Sequence, residues 1–83
     1  MPVRFTRHAL EKLNLLARHG FEVSLEQIIN TVENPDLVVT DRDPCIAQKG
    51  IDEEHVLRVV FRIEGHDFVV ITLYPGRRDR YEG

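Results

Sequence analysis

With 83 residues, 42% of them hydrophobic and 30% charged, the chain has room for one hydrophobic core and reads as a single domain spanning 1–83, neither disordered nor fibrous. A lone cysteine, Cys45, excludes an internal disulfide and a cysteine-rich zinc site. The net charge of −3 excludes a uniformly basic surface, yet the charge is uneven: residues 1–20 carry +3, residues 21–54 carry −7 and residues 55–83 carry +1.

Val3-Arg4-Phe5 alternates and reads as a short edge strand. Thr6 is then placed to cap a helix running to about His19, stopped by Gly20, with Ala9, Leu10, Leu13, Leu16 and Ala17 on its core face. Ser24-Leu25-Glu26-Gln27 fits a capping box, so a second helix starts there, buries Leu25, Ile28, Ile29 and Val32, and ends at Asn34-Pro35.

From Leu37 the pattern changes to strands. Leu37–Thr40 and Cys45–Lys49 flank a turn at Asp41–Pro44, and Gly50 closes the second of them. After the acidic turn Asp52-Glu53-Glu54, His55–Ile63 and Phe68–Tyr74 read as a central hairpin joined through Glu64–Asp67. Simple alternation puts Leu57, Val59, Phe61 and Ile63 on one face with Phe68, Val70, Thr72 and Tyr74. Arg58, Val60 and Arg62 take the other face with Val69, Ile71 and Leu73, and Pro75-Gly76 is expected to end the last strand. The fold class is therefore α+β, two N-terminal helices packed on a twisted antiparallel sheet of about four strands. An open face bearing Val60, Val69, Ile71 and Leu73 would expose an apolar patch, which predicts a homodimer.

No apolar run reaches the ~20 residues of a bilayer span, and the start MPVRFTRHALEK has no apolar signal-peptide core. A cytoplasmic protein without a membrane partner is expected.

The arginines carry the strongest chemical signal. Arg58 and Arg62 project from one strand face, and Arg77, Arg78 and Arg80 follow with the aromatic Tyr81, a set suited to gripping a phosphodiester backbone. A guanidinium offers parallel donors to phosphate oxygens and can stabilise the charge that builds on phosphorus when an RNA 2′-hydroxyl attacks. The plainer reading is that the strand arginines cover apolar neighbours with their stems and keep their heads in water. His8, Lys12 and His19 share a stripe of the first helix; a histidine there can shuttle protons, or simply sit at the helix boundary. No metal-binding spacing, phosphate loop or nucleophile elbow occurs, so no cofactor is expected. A DNA-reading helix pair is disfavoured, because the second helix bears Glu26 and Glu33 and no lysine or arginine.

The segments F-T-R-H-A-L-E-K-L, E-N-P-D-L-V-V, L-R-V-V-F-R and V-I-T-L-Y-P-G-R-R together resemble a family of small bacterial and archaeal domains of unknown function, grouped with the RelE/ParE toxin superfamily. A looser similarity to the BrnT branch lies in Asn14 with Arg18-His19-Gly20, in Glu33-Asn34-Pro35 and in the closing Arg77–Glu82. The resemblance implies a toxin that cuts messenger RNA without a metal, on or off the ribosome, and is neutralised by an antitoxin protein. It matches Arg58, Arg62, Arg77 and Arg78 to phosphate-binding positions, puts Lys49 and Tyr81 near basic and aromatic catalytic positions, and places His8 in the H-A-L-E motif. Arg58, Arg78, Tyr81, His8 and Lys49 are thus the catalytic candidates, and Arg58, Arg62, Arg77, Arg78 and Arg80 the RNA-binding ones. The rival is a non-catalytic, protein-binding module of the same fold, favoured by the acidic middle segment, which would repel RNA.

Overall fold

A computed structural model describes residues 2–82. Its elements are β1 (Val3–Phe5), α1 (Arg7–Arg18), α2 (Leu25–Glu33), β2 (Leu37–Val39), β3 (Cys45–Gly50), β4 (His55–Glu64), β5 (Asp67–Arg77) and α3 (Arg78–Tyr81). The helix boundaries follow the local chemistry. Thr6 accepts the Ala9 amide at the head of α1, and Gly20 just past its end has φ 83°, a left-handed geometry that glycine adopts without strain. At α2 both halves of the capping box form: the Ser24 hydroxyl accepts the Gln27 amide at 3.1 Å, and the Gln27 side chain accepts the Ser24 amide at 2.8 Å.

The strands make one five-stranded sheet in the order β1-β5-β4-β3-β2. The expected sheet of about four antiparallel strands is thus corrected to a mixed one, because β1 pairs parallel to β5, Val3 facing Phe68 and Phe5 facing Val70. Backbone bonds from Phe68 to Pro2 and from Thr6 to Val70 extend that ladder at both ends.

Helices α1 and α2 cover one face of the sheet. Ala9, Val23, Ile28 and Val32 meet Leu57, Val59, Val70 and Leu73 there, and Leu13, Leu16 and Phe21 pack around them. The seam on each helix is narrower than its apolar pattern suggests: Leu10 and Leu25 stay more than 40% exposed and Ala17 is exposed. Small Ala9 lets α1 lie close to β5, and the flanking leucines are left outside that line of contact.

The face assignment of β5 needs correction beyond its midpoint. Pairing runs regularly from Glu64–Asp67 to Phe61–Val70, then shifts, so that Val60 faces Thr72, Val59 faces Leu73 and Arg58 faces Tyr74. Ile71 is the extra residue of this β-bulge and has no partner of its own. Past it every β5 side chain swaps faces: Leu73 turns into the core with no exposed surface, and Tyr74 turns outward. Val69 is only 4% exposed, so the apolar patch expected on the open face does not form. The strand also runs through Pro75-Gly76 to Arg77. Because β1 covers only Phe68–Val70, the rest of β5 has an open edge, where a proline is tolerated. Among the described residues no helix is long and apolar enough to cross a membrane.

Candidate functional site

The face away from α1 and α2 carries one polar row. Gln48 on β3 lies opposite Arg58 on β4, which lies opposite Tyr74 on β5. Arg58 donates from Nε to the Tyr74 hydroxyl at 3.0 Å and from Nη1 to the Gln48 side-chain oxygen. Gln48 is buried, and Arg58 and Tyr74 are half-buried.

The next row along, Gly50–Val56–Gly76, has no side chain at either flank of Val56. The C-terminal helix α3 uses that space. A Cβ on Gly76 would overlap the ring of Tyr81, and a Cβ on Gly50 would overlap the guanidinium of Arg78. Seated in these notches, α3 seals Val56 completely from solvent and brings the Tyr81 ring to 4.2 Å from the Arg58 guanidinium carbon. That distance is a cation–π contact, and Arg80 lies over the same ring at 5.7 Å.

Arg78 fastens this arrangement. Its backbone amide donates to the Glu54 carbonyl at 2.8 Å, its Nε to the Asp52 carbonyl at 2.6 Å, and its Nη1 to Glu82 at 3.0 Å. The turn that receives it is itself tied: the Asp52 carboxylate accepts the amides of Glu54 and His55 and lies 3.0 Å from His55 Nδ1. These contacts, the Glu54 amide foremost, hold the Asp52 carboxyl below its ordinary range.

The remaining sequence candidates disperse. Arg62 shares a strand face with Arg58 but sits about 13 Å along it at 3.3 Å per residue, bonded to Glu64, which also takes Arg4 at 3.2 Å. Those two arginines, Arg62 first, hold the Glu64 carboxyl below its usual range. Arg77 falls in the row of His55, on the side opposite Arg58, and pairs with Asp79 at 3.5 Å. Lys49 is likewise in the opposite alternation, where it donates to the Asn34 carbonyl at 2.8 Å and approaches Asp36 at 3.5 Å. His8 is exposed on α1, across the sheet. The arrangement therefore joins Arg58, Tyr81 and Arg80 in one place with Arg78 behind them, and leaves His8 and Lys49 outside.

Two members of the polar row escaped the sequence reading. Gln48 follows the apolar run Cys45-Ile46-Ala47 on β3, which is a signal in the sequence; unbroken alternation turns Tyr74 inward, and only the bulge brings it to this face. Among the described residues no three His, Cys, Asp or Glu side chains converge as a metal site.

The family model described as "Domain of unknown function (DUF4258)" matches residues 5–75, from the end of β1 to Pro75. The chain belongs to this family. No curated protein and no solved structure matches the chain. The matched span includes Gln48, Arg58 and Tyr74 and stops before α3, so Arg78 and Tyr81 lie outside it.

Proposed function

We propose that this protein is an RNA-directed domain of the RelE/ParE-like toxin type, a metal-independent endoribonuclease acting on messenger RNA and restrained by an antitoxin protein. The observation that carries the reading is the unbalanced charge of Arg58. Every other sheet arginine among the described residues has a carboxylate: Arg4 has Glu64 and Asp67, Arg62 has Glu64, and Arg77 has Asp79. Arg58 has only the neutral oxygens of Gln48 and Tyr74 and the rings of Tyr81 and Tyr74. A guanidinium held in place with no counterion leaves its charge open to an anion, and its planar donors suit phosphate oxygens.

In this reading Arg58 receives a non-bridging phosphate oxygen. As the RNA 2′-hydroxyl gives its proton to water and bonds to phosphorus, the bond to the 5′ oxygen breaks and that oxygen takes a proton from Tyr81, while the guanidinium stabilises the charge on the phosphoryl oxygens. Its position needs no adjustment at that moment, since two hydrogen bonds and the Tyr81 stack already hold it. Tyr81, whose ring lies on the Arg58 guanidinium, is the proton-transfer candidate, and Arg80 extends the positive edge for the backbone. Arg78 serves as the positioning residue that seats α3.

The test is growth of a bacterial host under tightly controlled expression of the wild type and of Arg58→Gln at equal abundance. Arrest by the wild type alone supports the reading; equal growth of both refutes it.

A second reading, a non-catalytic protein-binding module, is favoured by the β2 edge. Leu37 and Val38 there are 47% and 43% exposed on a strand with one unpaired side, the kind of edge onto which another chain can add a strand. A partner recovered by co-purification and released by Val38→Lys would favour it.

A further inference from the structure

The bulge at Ile71 interrupts the longest ladder of the sheet, and its largest consequence is the placement of one side chain. Without the extra residue Tyr74 would belong to the helix-covered face; with it, Tyr74 stands opposite Arg58 on the open one. Bulges concentrate beside functional sites because they re-aim a side chain at small expense. The Tyr74 hydroxyl oxygen accepts the Arg58 Nε–H at 3.0 Å. A phenol that accepts on oxygen still has its own proton to give, and no acceptor for it occurs among the described residues.

We infer that Tyr74 is a second anion donor of this site, delivered by the bulge, and that its hydroxyl and the Arg58 guanidinium together take one phosphate group. This deepens the RNA reading above and rests on it for the molecule that carries the phosphate. The two donors differ in kind. Arg58 supplies charge, and with Gln48 and Tyr81 holding it, that charge is fixed in place. Tyr74 supplies a neutral, directional hydrogen bond next to it, which favours a tetrahedral oxyanion over a diffuse negative surface. Among the described residues no carboxylate contacts Arg58, so the seat stays positive, while Arg77 and Arg78 nearby are paired with Asp79 and Glu82.

The experiment titrates inorganic phosphate and, separately, single-stranded oligouridine into the wild type, Tyr74→Phe and Arg58→Gln, followed by NMR shifts at several salt concentrations. Tyr74→Phe keeps the ring and its packing, and an unchanged unfolding temperature confirms that it folds. The expected result is affinity lowered about fivefold to tenfold for both probes, the size of one hydrogen bond, with the salt slope of oligouridine binding unchanged. Arg58→Gln should instead reduce that slope by about 1. Wild-type affinity in Tyr74→Phe would overturn the inference and leave the RNA reading standing. A slope flattened in Tyr74→Phe as in Arg58→Gln would also overturn it, because the hydroxyl would then act only by placing Arg58. Tyr74-dependent binding of phosphate without binding of oligouridine would uphold the seat and remove RNA as its ligand. A wild type that binds neither probe would overturn both.

Discussion

The ring of Tyr81 lies 4.2 Å from the guanidinium carbon of Arg58 and fills the place that a side chain on Gly76 would need. Gly76 therefore matters to the site through its lack of a side chain. In Gly76→Ala the new methyl group should push Tyr81 off the sheet and undo the stack. Since α3 is a single short turn, the loss of stability should stay below about 2 kcal/mol, while RNA affinity falls as it does in Arg58→Gln. Thermal unfolding and an oligouridine titration measure the two effects separately.

The bulge makes a second prediction, about the core. Leu73 is fully buried among helix-facing residues and Ile71 is only half-buried. Leu73→Ala should destabilise the protein by about 2–5 kcal/mol, the usual range for a buried leucine. Ile71→Ala should destabilise it by markedly less. Denaturation by urea distinguishes this ordering from the equal exposure that unbroken alternation implies.

His8 and Lys49 give a third. Both were plausible proton carriers, yet one is on α1 and the other is engaged with Asn34 and Asp36, in the alternation opposite Arg58. His8→Ala should leave RNA binding and growth arrest at wild-type levels. Lys49→Ala should do the same at a temperature where it is folded, with its only deficit a lower unfolding temperature.

How far the sequence could lead is clear from particular elements. The capping box at Ser24 and the Gly20 stop are local devices, each set by a few adjacent residues and found where the pattern puts it, and the β4–β5 hairpin is found with a tighter turn than expected, Gly65-His66, because Glu64 and Asp67 pair. Arg58 on the open face was equally legible, because alternation along β4 is unbroken up to it. What was hidden depends on relations between distant segments. The parallel pairing of β1 with β5 joins residues more than sixty positions apart. The bulge is fixed by competition between the hairpin register and the core's demand for Leu73, and nothing in the neighbouring turn chemistry announces it. In the sequence Pro75-Gly76 reads as a strand end, and the role of Gly76 as a seat appears only when Tyr81 folds back on it.

Three carboxylates should make the fold sensitive to acid. Asp36 is held low chiefly by the Gly50 amide and also by Lys49, Asp52 chiefly by the Glu54 amide, and Glu64 chiefly by Arg62. A carboxyl depressed in the folded state contributes stability that is present above the unfolded carboxyl range, about pH 4, and is lost as pH falls toward the folded values. The unfolding temperature should therefore drop between about pH 5 and pH 3. Asp52→Asn should be less stable than the wild type at pH 7, with the gap closing in acid. All three groups lie near the surface, so added salt should shrink part of the effect.

RNA cleavage at the Arg58 face is a proposal that chemistry can decide. Its most direct test incubates purified protein with a defined messenger RNA, with and without ribosomes, and maps the ends of the products. The expected products are fragments bearing 2′,3′-cyclic phosphate, formed from bare RNA even in the presence of a metal chelator. They should be absent with Arg58→Gln and undiminished with His8→Ala. Intact RNA under both conditions, or cleavage that survives Arg58→Gln, would contradict it.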